Sequence, residues 1–387
     1  MSQSLPSYYH DLSVFSDWVE AAARQQTLFP MAMPGPTTQQ RVREVLGFCE
    51  GDETPFDVEV NQQWEKDGLV GEAISWSVGY GPRTEAWLLK PANATGPLPG
   101  VVAFYEHGGF KYLGKEKIAL GPTDSPPFMQ NWWDKYYGGR PFANALAHEG
   151  FAVLIHDPFL WGSRRFPQDV MPDWTTPAFT GLKDSNWLNC GIPYEIGLYN
   201  FAASQHEHQV EKLCTVLGAT LAGVVSHEDR IAVNYLRSRS DIDAHHIGCV
   251  GLSGGGARAA LLQATHPEMH ATVIVAMMAS YAEMLSRDVT RHTWLLFPKG
   301  WSRFGDWPDL AACRAPSPLM VQYNLDDELF AREAMQAAHQ RLAQHYAAAG
   351  YADAYQGEFY AGPHKFDLAM QESAFKWLAT RLKGIGD

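Results

Sequence analysis

The 387-residue sequence lacks the features that mark several classes of protein. It has no apolar run of ~18 or more residues, the length that a transmembrane helix needs. Its first residues contain neither the basic nor the apolar stretch of a secretory signal, so we expect a cytoplasmic protein. Basic residues are outnumbered, 30 Lys+Arg against 43 Asp+Glu, and the formal net charge is −13. Because nucleic acids and anionic membranes attract basic surfaces, we expect neither as a partner.

Cysteine is scarce as well. The five cysteines are scattered between Cys49 and Cys313 and form no C-x-x-C pair. Disulfide frameworks and zinc sites need clustered cysteines, so we expect reduced thiols and no metal. The rest of the composition is 46% hydrophobic and 19% charged, which predicts an ordinary folded globular chain.

Short apolar runs alternate with helical segments over most of the sequence. A β-hairpin is predicted at 73–89, and six runs follow, at 101–105, 152–155, 247–251, 271–276, 319–323 and 355–360. This alternation predicts parallel strands joined by helices that cover both faces of the sheet. Such sheets bind ligands at the carboxyl ends of their strands, so we expect the chemistry in the residues that follow each run.

Two segments do not fit the alternation. Residues 1–65 are interpreted as an N-terminal helical extension or cap, and residues 66–387 as one α/β domain. Inside that domain, residues from about 159 to 204 are rich in Trp, Pro, Gly and Asn and form a connection longer than ordinary βα loops. We interpret this connection as a lid-like insertion over the strand ends.

The clearest motif is G-x-S-x-G, formed by Gly251, Ser253 and Gly255 between an apolar run and a helical segment. A serine on such a tight turn has strained backbone angles, so the positions two before and two after it need glycine. The turn exposes the serine hydroxyl and directs the Gly254 N–H, at the start of the helix, toward an oxyanion. We predict Ser253 as a nucleophile.

A dinucleotide-binding turn is the main alternative for the same residues. Gly254, Gly256 and Ala259 formally satisfy G-x-G-x-x-A. However, these glycines begin three residues beyond the strand, and residues 271–280 contain no carboxylate to bind a ribose. The position of the motif therefore disfavours nucleotide binding.

A serine nucleophile needs a histidine base and an acid that orients it, and on this kind of sheet the acid precedes the histidine in the chain. His364 lies in a Gly-Pro loop after the last run, and Asp326 and Asp327 follow the fifth. Asn324 can adopt the left-handed conformation of a tight turn, which favours Asp327 over Asp326. Glu283, after the fourth run, is a weaker third candidate.

The loop after the first run supplies the second oxyanion donor. Its glycines let the backbone approach a bound carbonyl, which makes the N–H of Gly109 or Phe110 the candidate. His107 is expected to be a hydrogen-bonding residue of the site wall rather than a catalyst.

Aromatic and arginine side chains suggest how a substrate is held. Trp161 belongs to a set of tryptophans in strand-end loops, and aromatic walls hold sugar or phenyl rings. Arg164, Arg165 and Arg258 lie near the predicted site, and of these Arg164 is the candidate that binds a substrate carboxylate. Ion pairing with the excess acids is the alternative.

A possible metal set, His206, Glu207, His208 and Glu211, lacks the H-E-x-x-H spacing that places two imidazoles on one helix face. A solvated helix turn is the preferred interpretation of these residues.

Taken together, these motifs resemble the α/β-hydrolase superfamily, and its dienelactone-hydrolase-like and acetyl-xylan-esterase-like branch in particular. The segments that carry the resemblance are H-G-G at 107–109, 157–164, the turn at 251–256, A-P-S-P-L at 315–319, D-E-L-F at 327–330 and G-P-H-K-F at 362–366. The resemblance implies an eight-stranded, mostly parallel sheet with helices on both faces, hydrolysis of carboxylic esters, and no metal or organic cofactor.

The resulting hypothesis is a serine esterase that cleaves a small-molecule ester, such as an acetylated sugar or an aromatic ester, through Ser253, His364 and Asp327. Two alternatives remain open. The same residues can cleave a carbon–carbon bond of a diketone, or the chain can be a non-catalytic binding module that retains the turn. A homodimer is a possible assembly.

Overall fold

The computed structural model describes residues 9–48, 51–171, 190–285 and 289–384. The strands are β1 Phe56–Lys66, β2 Leu69–Ser77, β3 Thr84–Pro91, β4 Leu98–Phe104, β5 Ala152–His156, β6 Ile242–Leu252, β7 Ala271–Val275, β8 Leu319–Asn324 and β9 Tyr355–Tyr360. The helices are α1 Asp17–Gln25, α2 Pro36–Leu46, α3 Phe128–Tyr136, α4 Phe142–His148, α5 Tyr194–Val216, α6 Leu221–Ser238, α7 Gly254–Thr265, α8 Tyr281–Met284, α9 Trp307–Ala312, α10 Arg332–Ala348 and α11 Leu368–Lys383. None of the described helices is long and apolar enough to cross a membrane.

The strands form one mixed sheet in the order β1-β2-β3-β5-β4-β6-β7-β8-β9. Strands β4 to β9 run parallel to their neighbours, whereas β1, β2 and β3 are antiparallel and β3 joins the parallel part through β5. The predicted hairpin is therefore β2–β3, and the six predicted runs are β4 to β9. Strands β5, β7 and β8 are buried along their whole length, as their apolar sequences require.

The described part of the sheet has nine strands, so the expected number of eight was wrong. The additional strand is β1, an edge strand that pairs only with β2 and is exposed along most of its length. At its start, Phe56, Val58 and Val60 alternate with polar residues, so the period of a strand is present in the sequence. Because β1 begins at Phe56, residues 56–65 belong to the sheet rather than to the helical extension predicted for 1–65.

The predicted insertion at 159–204 is described only in part, because residues 172–189 lie outside the described residues. The chain continues from there into α5, a helix of 23 residues. A second long helix, α6, follows directly. Between them Gly218 has a φ of +75°, a left-handed conformation that ends α5.

The parallel arrangement brings three loops to one edge of the sheet. Strands β6, β8 and β9 all point their carboxyl ends the same way, and β7 lies between β6 and β8. Ser253 follows β6, Asp327 follows β8 by three residues, and His364 follows β9 by four. The fold thus places all three predicted residues at the edge where such sheets bind ligands.

Candidate active site

Ser253 lies on a strained turn between β6 and α7. Its backbone angles are φ 56° and ψ −122°, a combination that residues other than glycine rarely adopt. Two hydrogen bonds hold this conformation: the Ser253 N–H donates to the carbonyl of Val275 (2.9 Å), and the Ala257 N–H donates to the carbonyl of Ser253 (2.9 Å). Strain of this kind persists where the surrounding structure enforces it, and it occurs often at active sites.

The glycines around Ser253 are required by close backbone contacts. A Cβ at Gly251 would overlap the backbone of Gly255, and a Cβ at Gly255 would overlap the carbonyl oxygen of Phe104. A Cβ at Gly254 would lie 2.7 Å from the backbone nitrogen of His107. The first two contacts confirm the steric reason for G-x-S-x-G. The third brings the loop after β4 against the start of α7.

Gly254 is the first residue of α7. The N–H of the first helical residue has no acceptor within its helix and points out of the helix end. The position therefore suits the predicted oxyanion donor, and the positive end of the helix dipole favours a negative charge there.

Asp327 is the acid that contacts His364. The Nδ1 of His364 lies 2.6 Å from Oδ2 of Asp327, whose side chain is completely buried. The other carboxylate oxygen, Oδ1, accepts the N–H of Leu329 (2.9 Å). With Asp327 as acceptor, the proton of the neutral imidazole lies on Nδ1 and leaves Nε2 available as a base.

Asp326 faces away from His364. Half of its side chain is exposed, it forms an ion pair with Arg332, and it accepts the N–H of Gly362 (2.8 Å). These hydrogen bonds, first that from Gly362, lower the pKa of Asp326. Asp327 was thus the right choice for the partner of His364, but the turn argument behind it was wrong. Asn324 ends β8 in an extended conformation, and its Nδ2 donates to the carbonyl of Lys365 (2.8 Å).

His292 lies beside this pair, and sequence reasoning missed it. Its Nε2 donates to the carbonyl of Leu329 (2.9 Å), and its ring stacks on Phe330 at 4.4 Å between centroids. Burial lowers the pKa of His292 to about 4, and the neighbouring charges of Asp327 and His364 also act on it. His292 is therefore neutral near pH 7 and packs against the loop that carries Asp327.

His107 organises the loop after β4. Its Nδ1 accepts the N–H of Gly109 (3.0 Å), and its carbonyl accepts the N–H of Phe110 (2.9 Å). The two N–H groups predicted as the second oxyanion donor are thus both engaged with His107. For either of them to hold an oxyanion, the group must exchange this partner for the ligand, so the second donor stays a prediction.

Glu207, on α5, is a second buried carboxylate near the site. It accepts from Nε2 of His107 (2.7 Å), from Nζ of Lys111 and from Oγ1 of Thr293 (3.0 Å). Burial opposes its ionisation, but the Lys111 charge and the His107 contact outweigh burial and hold the pKa of Glu207 well below its usual range. The predicted solvated helix turn is therefore wrong, because Glu207 connects three segments of the chain in the interior. The charge of Lys111, 96 residues away in sequence, stabilises the buried carboxylate.

Trp161 lies in the wall of the site, whereas the Arg164 guanidinium is paired with an acid instead of facing a substrate. The buried Trp161 ring packs edge-on against His107 at 5.2 Å, and both line a small cavity with Gly254. Arg164 is also buried, and its Nη2 lies 2.6 Å from a carboxylate oxygen of Glu228. The substrate-binding role predicted for Arg164 is corrected accordingly: ion pairing with an acid, the alternative raised from the sequence, is what the structure shows.

The sheet order, the serine turn after β6 and the Asp327–His364 pair after β8 and β9 define the α/β-hydrolase fold. No family model matches the sequence. A curated Bacillus subtilis protein, named "Putative hydrolase YtaP", is 20% identical over 328 residues, which cover 84% of this chain and 93% of that protein.

Solved structures show the same fold at low sequence identity. A Bacteroides fragilis protein described as a putative acetyl xylan esterase superposes with a TM-score of 0.62 and 15% identity, over 92% of this chain and 84% of that one. A glucuronoyl esterase from Solibacter usitatus superposes with a TM-score of 0.58 and 13% identity, over 89% of this chain and 91% of that one. Methylesterase BT1017 superposes with a TM-score of 0.57 and 18% identity over 88% of this chain. The match spans 62% of the methylesterase chain, less than two thirds of its length.

Proposed function

We propose that this protein is a serine esterase that hydrolyses a carboxylic ester of a small molecule through an acyl-enzyme. The observation that carries the proposal is the strained Ser253 turn at the sheet edge that also carries the Asp327–His364 hydrogen bond. The names of the neighbours support ester hydrolysis as the reaction class, since three of them are described as esterases. An acetylated sugar or an aromatic ester is the proposed kind of substrate.

In the proposed reaction, the Ser253 hydroxyl oxygen attacks the ester carbonyl carbon while Nε2 of His364 takes the hydroxyl proton. Asp327 holds the imidazole in the required tautomer and stabilises the imidazolium that forms. The negative charge moves to the carbonyl oxygen, where the Gly254 N–H and the start of α7 stabilise it.

Collapse of this intermediate breaks the ester C–O bond, and the alcohol leaves with the proton from His364. A water molecule then attacks the acyl-enzyme, with His364 again as base, and releases the acid and free Ser253. Each proton removed is returned, so the reaction consumes only ester and water.

Steady-state hydrolysis of p-nitrophenyl acetate tests this proposal. We expect Ser253→Ala to abolish turnover and Asp327→Asn to lower kcat by about 10⁴, because the amide fixes the wrong tautomer of His364. Asp326→Asn is the matched control, since it removes the adjacent carboxylate, which does not contact His364. Equal losses from the two Asp variants, or a Ser253→Ala variant with wild-type turnover, would contradict the proposal.

The substrate distinguishes the carbon–carbon hydrolase alternative from the proposed esterase. A wild-type protein that cleaves diketones but leaves p-nitrophenyl acetate intact would replace the esterase assignment while retaining the same catalytic residues. A folded protein that binds ligands and turns over neither substrate would indicate a binding module.

A further inference from the structure

An unexplained feature near the site is a cavity of about 770 Å³, which we call the aromatic cavity. Its volume lies in the range of ligand-binding pockets, about 300–1,000 Å³. In the described part of the chain, its walls are contributed by the hairpin turn between β2 and β3, the loops after β4 and β5, and α5. Five aromatic side chains line it: Tyr80, Tyr112, Phe159, Phe166 and Tyr199.

Arg165 is the charged group of this cavity for which the described residues provide no acid partner. Among the described residues no carboxylate lies within ion-pair distance of its guanidinium. Its Nη1 instead donates to the carbonyls of Gly162 (2.9 Å) and Tyr112 (3.4 Å). The neighbouring Arg164 lines the same cavity but is paired with Glu228. In a chain with 43 acidic and 30 basic residues, a cation beside an open cavity that contacts no acid within the described ranges points to a ligand that brings the negative charge.

The guanidinium of Arg165 is also held in place by contacts within the protein. It lies 4.5 Å from the centroid of the Tyr112 ring and 6.0 Å from that of Tyr199, and these two rings pack edge-on at 5.4 Å. The Tyr199 hydroxyl is itself fixed by donating to the carbonyl of Phe166 (2.7 Å). A stacked, planar guanidinium presents its remaining N–H groups in one plane, which matches the two oxygens of a carboxylate.

One loop connects the aromatic cavity to the catalytic residues. Trp161 lines the small cavity beside Gly254, while the residues on both sides of it, Phe159 and Gly162, line the aromatic cavity. A molecule in the aromatic cavity therefore lies against the same short stretch of chain that contacts the site of Ser253.

We propose that the aromatic cavity binds a ring-shaped molecule that carries a free carboxylate, with the carboxylate on Arg165 and the ring against the tyrosine and phenylalanine walls. If the bound molecule is the substrate, the inference rests on the proposed function, and the substrate is then an ester that carries a second, unesterified carboxylate. Binding of the free acid does not depend on catalysis. Aromatic acids and cyclic sugar acids share this chemistry, and the experiment distinguishes them.

Equilibrium titration of the full-length protein, followed by ligand-observed NMR, tests the binding. We expect benzoate to bind at least about tenfold more tightly than its neutral isostere benzamide, because the charge-assisted pair is lost with the amide. Glucuronate against glucose is the parallel pair for a sugar ring. If the acid binds more tightly than its neutral partner in one pair, that pair identifies the kind of ring that the cavity binds. If the acid is not preferred in either pair, the proposal is overturned.

Variants of Arg165 test whether this side chain causes the preference for the acid. Arg165→Gln is expected to remove the preference for the acid, and Arg165→Lys to keep only part of it, since an ammonium lacks the bidentate geometry. Arg303→Gln is the control, because it removes the same charge from an exposed residue outside the cavity and should keep the full preference. An Arg165→Gln variant that is folded and retains the preference, or an equal loss in Arg303→Gln, would refute the site.

Ester turnover separates this inference from the proposed function. For monomethyl terephthalate against methyl benzoate, we expect the ratio of kcat/KM values to favour the charged ester and to fall about tenfold in Arg165→Gln. If the acid binds but no ester is hydrolysed, the binding site stands and the esterase proposal fails. If esters are hydrolysed but charged and neutral ligands bind equally, the esterase proposal stands and the binding site fails.

Discussion

At the scale of single residues, the candidate site depends on which side chains are absent. Ser253 holds its strained conformation because Gly251 and Gly255 let the backbones of β6, α7 and β4 meet. Backbone atoms cannot move aside as a flexible side chain does, so these positions tolerate no Cβ. The local sequence therefore permits the turn, and the distant contacts with Phe104 and Val275 hold it.

Replacing Gly255 with alanine tests this requirement. The new Cβ would overlap the carbonyl oxygen of Phe104, so we expect Gly255→Ala to lower the free energy of unfolding by about 2 kcal/mol or more and to abolish ester turnover. Gly96→Ala is the control, since nothing lies within 4 Å of its Cβ. Denaturant titration of the two variants measures the difference. If the two variants were equally stable and active, the turn would have space for a Cβ at Gly255, contrary to the structure.

The residues of the site differ in how far a sequence can predict them. Ser253 and His364 could be proposed from the sequence because a glycine pattern and a strand-end loop are local signals. Glu207 was misinterpreted because its partners Lys111 and Thr293 lie 96 and 86 residues away, and only the fold shows that they are close. Arg164 and Arg165 are adjacent and identical in type, so only the structure shows that one of them is paired with an acid.

At the scale of elements, the loops after β8 and β9 behave as one unit. Besides the Asp327–His364 contact, the N–H of Leu325 donates to the carbonyl of Tyr360 (2.8 Å), and Asn324 donates to Lys365 (2.8 Å). These hydrogen bonds hold the acid and the base in register independently of any ligand. His292 adds a neutral aromatic surface against the loop after β8.

The burial of His292 predicts a pH dependence of stability. Its pKa is about 4 in the folded protein and about 6.5 in an unfolded chain, so the unfolded state takes up the proton first. Stability should therefore fall as pH decreases from about 6.5 to about 4, by up to about 3 kcal/mol from this residue. We expect His292→Gln to reduce that slope relative to the wild type, measured by urea unfolding across the interval. Identical slopes would show that His292 is not buried as a neutral ring.

Element boundaries were well predicted for the short runs of the parallel sheet. Strand β9 has the bounds that the sequence indicated, Tyr355–Tyr360. Strand β1 was missed although Phe56, Val58 and Val60 alternate with polar residues, because residues 1–65 were interpreted as a whole as a helical extension.

At the scale of the whole molecule, the segment before the sheet is part of the main core. In α2, Val42 and Leu46 are completely buried in the principal hydrophobic cluster. The Leu46 carbonyl accepts both the N–H (3.0 Å) and the hydroxyl (2.8 Å) of Thr220, just before α6. These contacts favour a structural role for α2 over that of a detachable cap.

A substitution within α2 tests this role. We expect Leu46→Ala to lower the free energy of unfolding by about 2–5 kcal/mol, because it leaves a cavity in a close-packed core. Gln40→Ala, on the exposed face of the same helix, should change stability by less than about 0.5 kcal/mol. Thermal and denaturant unfolding compare the two. A Leu46→Ala variant as stable as Gln40→Ala would mean that α2 is an appendage.

The most direct test of the account is covalent labelling of the folded protein with a fluorophosphonate, followed by peptide mass spectrometry. The strained turn and the Asp327–His364 pair predict one label per chain, attached to Ser253, and none on a folded Ser253→Ala variant. A folded wild-type protein that takes up no label, or a label attached to a different residue, would contradict the assignment of Ser253 as the nucleophile.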